Sequence, residues 1–489
     1  VREPIKLLRG RLGAFSAVLA GAVLLRLLAG VAFANYDTLY ALTWGGQLAR
    51  GETPAYGIPI APTPHPLLEL LGLILYPLGA RAELEIILAL AFGAMAACGW
   101  VIYSLGRRWF GPAAGLLAGA VFVTRAEVLN YGVRAYLDIP YLLFVLSAVL
   151  VEVRRPRAGG PVLGLLALAG LLRPEAWVFS GLYWLYLMDL LPAAVRARLP
   201  QGERPQGRGR LAALTLLTGL GPLVWLGSDL LVTGQPLWSL TNTRHTASTL
   251  DRTTGLVNVP EYIPKRLGEI LRPPVLLGAG IGGVLTLRWT FSRALPGALL
   301  GVLAVLVFSA FATVGLPINT RYAFLAAAIL CLFCGAGVLG WMTLQKGDPR
   351  RRIWMALGAV VALALIAYGP TDYREINHHF TELARQERIE NDLTALVKSG
   401  AVNLRCGPVG VPNHAPIPLL SLYLKANPEE IQSAEVGGIS SGVYVDPANR
   451  YVEEHYVLDP RDPHEDVSVP EGFSQTASNR SWRIFARCR

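Results

Sequence analysis

For most of its length the chain alternates between long apolar runs and short polar connections rich in arginine. Leu12–Ala34, Leu211–Val232, Leu295–Val314 and Ile353–Tyr368 are the clearest runs. Each is of the order of the roughly 20 helical residues that cross a hydrocarbon core. The pattern predicts spanning helices at 12–34, 84–105, 112–125, 138–152, 161–172, 175–191, 211–232, 274–289, 294–315, 320–343 and 353–369, about eleven in all. Basic clusters fix the expected order. Arg107-Arg108, Arg154 to Arg157, Arg196 to Arg210, Arg288 with Arg293, and Lys346 with Arg350 to Arg352 belong on the cytoplasmic side, as does an N-terminus carrying Arg2, Lys6, Arg9 and Arg11. The C-terminus is then extracytoplasmic. On this count 66–80 is a helix lying at the outer leaflet, not a crossing. The stretch 161–191 is two crossings broken near Arg173-Pro174.

Between the first two crossings, residues 39–50 read as an amphipathic helix with Tyr40, Leu42, Trp44 and Leu48. Beyond 371 the character changes. Residues 376–398 carry a polar helical pattern, and Gly442–Val445 and Trp482–Ala486 alternate like strands between Pro- and Gly-rich turns. The expected organisation is an α-helical polytopic membrane domain over 1–370, with a first outer loop at 35–83, followed by a C-terminal extracytoplasmic α/β domain over 371–489.

Composition agrees with the pattern. Of 489 residues, 53% are hydrophobic and 16% charged, and the mean hydropathy is +0.42. The net charge of +10 is unevenly spread: residues 371–489 carry 17 acidic and 12 basic side chains, the rest 17 and 32. Because the excess of basic residues sits in short loops between apolar runs, it reads as a topology signal, and no nucleic-acid partner is expected. Cys98, Cys331 and Cys334 lie within apolar runs and read as packing residues. Cys406 and Cys488 both fall in the C-terminal part and, outside the cytoplasm, can pair as a disulfide.

On the predicted topology most acidic residues of the membrane part, and both of its histidines, His65 and His245, face outward. Asp37 follows the first crossing within three residues, and Asp138 opens the fourth. A carboxylate at a membrane edge is costly unless it has a partner or a role. Capping a helix is one such role for either residue; general acid–base chemistry or holding a divalent metal is another. Arginines on the outer side run against the charge bias. Arg134 and Arg321, nearest to span ends, are candidates for holding a phosphate, whose oxygens match the guanidinium fork. No Walker-type loop, Ser-His-Asp signature or HExxH motif occurs.

An ordered set of segments resembles the GT-C superfamily of integral membrane glycosyltransferases, which includes protein O-mannosyltransferases and lipid A aminoarabinose transferases. Tyr36-Asp37 and the following Tyr40 to Tyr56 are similar to its first outer loop. His65-Pro66-Leu67-Leu68 resembles its His/Lys-Pro-Pro-Leu segment with one Pro replaced. Gly106-Arg107-Arg108-Trp109-Phe110-Gly111 is similar to its cytoplasmic turn, Leu137-Asp138-Ile139-Pro140 to its second-loop Asp motif, and Arg321-Tyr322 to a late Arg-Tyr element. The resemblance covers about 1–370. It implies transfer of a sugar from a polyprenyl-phosphate donor to an acceptor hydroxyl of a protein, glycan or glycolipid, with inversion and with Asp37 as general base. Asp138 would orient the site or, with Asp37, bind a divalent metal. Arg134 and Arg321 would hold the donor phosphate, and Tyr36, His65, Glu69 and His245 would line the donor and acceptor pocket. Two other readings stand beside it. A lipid or solute transporter or flippase also needs many spans and membrane-edge charges, and a non-catalytic scaffold would keep the same fold.

Overall fold

The computed structural model describes residues 2–198, 202–457 and 468–488; Pro200 in the basic loop falls outside them. Sixteen helices matter here: α1 (Arg2–Ala29), α2 (Tyr36–Ala49), α3 (Pro66–Leu75), α4 (Ala80–Phe110), α5 (Pro112–Val123), α6 (Ala126–Val133), α7 (Asp138–Arg154), α8 (Gly160–Gly170), α9 (Glu175–Leu187), α10 (Arg208–Thr233), α11 (Trp238–Thr249), α12 (Val259–Trp289), α13 (Phe291–Thr313), α14 (Phe324–Leu339), α15 (Pro349–Lys398) and α16 (Ile417–Leu424). Among the described residues, seven of them are long and apolar enough to cross a membrane, and eight spans result if α5 and α6, bent by 61°, count as one. The segments expected to cross at 138–152, 161–172 and 175–191 are helices of 17, 11 and 13 residues. The last two are shorter than a full crossing of roughly 20 residues. Residues 66–78 form a short apolar helix, as expected of a segment that does not cross.

The chain divides into two compact units. The first comprises 1–30, 89–224 and 254–379. At its centre α14 is buried almost all round. Close approach of neighbouring backbones requires glycine there. A Cβ on Gly282 of α12 would collide with the Phe333 carbonyl, and one on Gly335 with the Ala114 carbonyl of α5. Small residues that let helices touch are the usual solution where lipid offers no hydrophobic drive between helices. Cys331 and Cys334 are buried in this packing as free thiols, as is Cys98 on α4. Arg26, unusual in a first crossing, lies 5.8 Å from the Phe92 ring centroid. In α12 the backbone breaks at Arg272, whose φ is 64°, just before Pro273-Pro274. The freed Arg272 side chain pairs with Glu375 of α15, and Arg125 pairs with Asp372 at 2.9 Å. α15 runs unbroken for 50 residues, so residues 370 and 371 lie inside one helix.

The second unit comprises 31–88, 225–253 and 380–489. The expectation of an amphipathic helix at 39–50 is corrected here. Residues Thr38–Gln47 of α2 are all buried, so the helix has no solvent stripe. One side crosses α3 at Gly45 and Gly72, where a Cβ on either would strike the other helix's backbone. The other side receives α16, with Thr43 Oγ1 3.4 Å from the Pro418 carbonyl. Downstream of α15 is a five-stranded sheet, ordered β2-β1-β3-β5-β4: β1 (Val409–Val411), β2 (Ile431–Ser433), β3 (Gly442–Pro447), β4 (Ser474–Ser478) and β5 (Trp482–Arg487). β1 pairs in parallel with β2 and β3, with α16 as the crossover between β1 and β2, and β5 runs antiparallel to β3 and β4. The strands expected at Gly442–Val445 and Trp482–Ala486 are β3 and β5. Cys406 and Cys488 form a disulfide that ties the start of this region to its end.

Candidate functional site

The first unit concentrates charge at the N-terminus of α7. Asp138 is the first residue of that helix, and Leu137 occupies the cap position without a side-chain cap bond, so capping does not explain the carboxylate. The Asp138 side chain is 2% exposed and is paired with Arg173 through Oδ1. Arg173 lies in the turn between α8 and α9 and also donates from Nη2 to Glu175 Oε1 at 2.6 Å. Arg321 Nη1 stands 3.8 Å from Asp138 Oδ2, beyond hydrogen-bond length but close enough for strong Coulombic attraction. The guanidinium of Arg173 also lies over the Tyr322 ring, 4.1 Å from its centroid. Arg134 and Arg321 both approach the Tyr136 ring, at 5.1 and 5.4 Å. Two guanidiniums, Arg173 and Arg321, thus face the two carboxylates, and Arg134 shares the Tyr136 ring with Arg321.

Asp138, Arg173, Glu175, Arg321 and Tyr322 border a narrow cavity of about 30 Å³, room for about two water molecules. Its other wall is apolar, formed by Phe179, Val307, Phe308, Phe311 and Leu325. A cationic end joined to an apolar wall matches the chemistry of an anionic head on a hydrocarbon chain. Arg173 has both its carboxylate partners at bonding distance. Arg321 is more exposed, at 17%, and its looser contact with Asp138 can be exchanged for a phosphate oxygen.

The second unit holds Asp37, Tyr36, His65, Glu69 and His245. Asp37 is half-buried in the first turn of α2. The cap of that helix is Asn35, whose side chain accepts from the Asp37 and Thr38 amides at 2.9 and 3.3 Å. The capping role considered for Asp37 is therefore filled by its neighbour. Tyr36 packs edge-on against Tyr40 at 4.9 Å and His414 at 5.5 Å, and its hydroxyl donates to the Ile60 carbonyl at 3.3 Å.

Glu69 forms a separate cluster. Tyr56 Oη donates to Glu69 Oε2 at 2.6 Å, and the His65 amide donates to Oε1 at 2.9 Å. The His65 ring meets Trp225, whose Nε1 donates to Ser239 Oγ, and Ser239 in turn donates to Asp229. Burial pushes the Glu69 carboxyl up to about 7, further raised by Asp229 and opposed by its two hydrogen bonds. The folded chain holds this proton more tightly than the unfolded chain does. The group's favourable contribution is therefore present below its ordinary value and lost as pH rises toward 7. Between pH 5 and 7.5 the thermal midpoint should fall more steeply in the native chain than in Glu69→Gln. Parallel slopes in scanning calorimetry would contradict this. His245 is exposed on α11, a helix anchored to the loop before His65 by Thr243 and Thr63.

Arg134, Asp138 and Arg321 thus share one cluster; in the other unit, Tyr36 with Asp37, His65 with Glu69, and His245 occupy three places. Arg173 and Glu175 complete the first cluster but were not singled out from sequence as site residues. The available signal was a charge pair flanking the proline that breaks two short apolar runs.

No family model matches the chain, and no curated protein matches it. Among solved structures, the chain is similar to the crystal structure of ArnT from Cupriavidus metallidurans bound to undecaprenyl phosphate. That likeness has a TM-score of 0.55 at 14% identity and covers 97% of this chain and 98% of that one. The same protein in the apo state gives a TM-score of 0.49 at 14% identity, covering 98% of each chain. ArnT is a lipid A aminoarabinose transferase, one of the groups within the superfamily whose motifs the sequence resembles. The likeness is one of fold, it spans nearly the whole chain, and the fold is of the GT-C type.

Proposed function

We propose that the chain is a membrane glycosyltransferase that moves a sugar from a polyprenyl-phosphate donor to an acceptor hydroxyl at the extracytoplasmic face. The observation that carries this reading is the cavity beside Asp138, where guanidiniums and an apolar wall meet, on a fold shared with a protein crystallised with undecaprenyl phosphate. The acceptor oxygen attacks the anomeric carbon as the bond from that carbon to the phosphate oxygen breaks, inverting the centre. Asp37 takes the hydroxyl proton, and the lipid phosphate leaves with its charge stabilised by Arg321 and Arg134. Asp138 orients the cationic end through Arg173. The first loop and residues 380–489 belong to one compact unit, which supports placing both on one side of the membrane; the basic residues Arg2, Lys6, Arg9 and Arg11 favour a cytoplasmic N-terminus.

The test is transfer by the full chain in nanodiscs, supplied with radiolabelled mannose or 4-amino-arabinose on undecaprenyl phosphate and with lipid A or a Ser/Thr peptide. Label on an acceptor, with release of undecaprenyl phosphate, is expected. Uptake of label into liposomes without release would instead identify a transporter. Arg321→Ala should raise the donor KM at least tenfold, the loss of one charge-assisted contact of roughly 1.5–3 kcal/mol. An unchanged KM would remove Arg321 from the phosphate site.

A further inference from the structure

Arg321 stands on a single 3-10 turn, Thr320–Ala323. One turn of this kind supports itself weakly, and Asn319 at its cap position makes no side-chain cap bond. The hold comes instead from α12. Thr320 Oγ1 donates to Glu269 Oε2 at 3.0 Å. Arg266 Nη1 reaches both oxygens of Glu269, at 3.0 and 2.9 Å, and Arg266 Nε donates to the Ile318 carbonyl at 3.3 Å. An ion pair one turn apart on a helix surface usually contributes little. Here each partner makes a second contact, and both contacts fall within residues 318–320, directly before Arg321. Apolar packing follows the same path: Val259, Tyr262 and Ile263 of α12 lie against Phe308, Ala312, Ile318 and Tyr322.

The break in α12 fits this arrangement. The φ of 64° at Arg272, followed by Pro273-Pro274, sets residues 259–271 off from the rest of the helix. A non-glycine residue in that conformation is strained and persists only where its surroundings hold it, here through the pair with Glu375. We propose that Glu269, tied to Arg266, is a positioning residue for Arg321. It fixes the turn from which the guanidinium meets the donor phosphate, and it acts through Thr320 rather than on the donor itself. The inference rests on the reading of Arg321 as a phosphate-holding group.

The experiment is the affinity of the full chain in nanodiscs for undecaprenyl phosphate, which does not depend on the sugar the donor carries. It compares the native chain with Glu269→Met, Thr320→Val, Thr320→Ser, Arg321→Ala and the double variant Glu269→Met, Arg321→Ala. Glu269→Met and Thr320→Val should each weaken binding about fivefold, part of the effect of losing a charge-assisted contact. Thr320→Ser keeps the hydroxyl and should stay within about twofold of the native chain. The double variant decides between positioning and general support. In the Arg321→Ala background, Glu269→Met should change the affinity by less than about 1.5-fold, because its effect passes through the group already removed. A loss that persists undiminished in that background would overturn the inference, since Glu269 would then act by some route other than Arg321. If Glu269→Met does not fold, the same cycle with Thr320→Val decides. Native affinity in Glu269→Met and Thr320→Val, with Arg321→Ala weakened, would overturn the positioning role and leave Arg321 at the phosphate. Native affinity in Arg321→Ala, or no binding by the native chain, would remove the phosphate reading and the inference with it.

Discussion

Asp37→Asn should lower kcat for sugar transfer by about 10²–10⁴-fold, the range that a positioned general base contributes, while leaving the chain folded. The second half of that expectation comes from the local structure. Asn35, not Asp37, satisfies the first amides of α2, and the helix is otherwise held by burial of Thr38 to Gln47. An amide in place of the carboxylate removes one negative charge near a helix N-terminus, at a cost of about 0.3–1 kcal/mol. Stability and donor KM should therefore change little while turnover collapses. The measurement is steady-state release of undecaprenyl phosphate, with the thermal midpoint recorded on the same preparation. Turnover within a few-fold of the native chain would exclude Asp37 as the base.

What was legible in the sequence was the part that depends on local periodicity. Leu12–Ala34, Leu211–Val232 and Leu295–Val314 hold their apolar character long enough to declare a helix, and α1, α10 and α13 follow them. The strands around Val443 and Ile484 announced themselves by alternation. The amphipathic reading of 39–50 failed because the polar positions Thr43 and Gln47 are buried along with the apolar ones. The residues that cover the opposite side of α2 come from α16, nearly 400 positions later, and the Gly45–Gly72 crossing is a long-range fit of two backbones. The break in α12 was likewise hidden: Pro273-Pro274 marks it, but the left-handed Arg272 and its pairing with Glu375 need the fold to bring α15 alongside.

The sites divide the same way. Asp37 and Asp138 stood out because a carboxylate beside an apolar run is conspicuous. Their partners did not, because partnership is spatial. Asp138 and Arg173 are 35 residues apart, and Arg173 looked like one more outer-side charge. In that cluster the sequence displayed Asp138 and left its support unmarked.

Arg173→Met should cost the fold about 3–5 kcal/mol, the penalty for breaking a buried ion pair by removing one partner. Arg173 is buried and answers two carboxylates, Asp138 and Glu175, themselves buried in the same site. Methionine fills much of the same volume but leaves both carboxylates facing each other, with the looser Arg321 as the one counter-charge among the groups lining that cavity. The penalty thus comes from stranded charge more than from lost packing, and this makes the explanation separable. The triple variant Arg173→Met, Asp138→Asn, Glu175→Gln removes all three charges and should recover most of the stability, because a buried ionic cluster replaced as a whole is often nearly neutral. Thermal unfolding in detergent reads both chains. If the triple variant is no more stable than Arg173→Met, the guanidinium matters here for its shape or for its contact with the Tyr322 ring. If it recovers while transfer stays lost, the cluster is maintained against its own desolvation cost for the Arg321 end of the cavity, where the donor phosphate would bind.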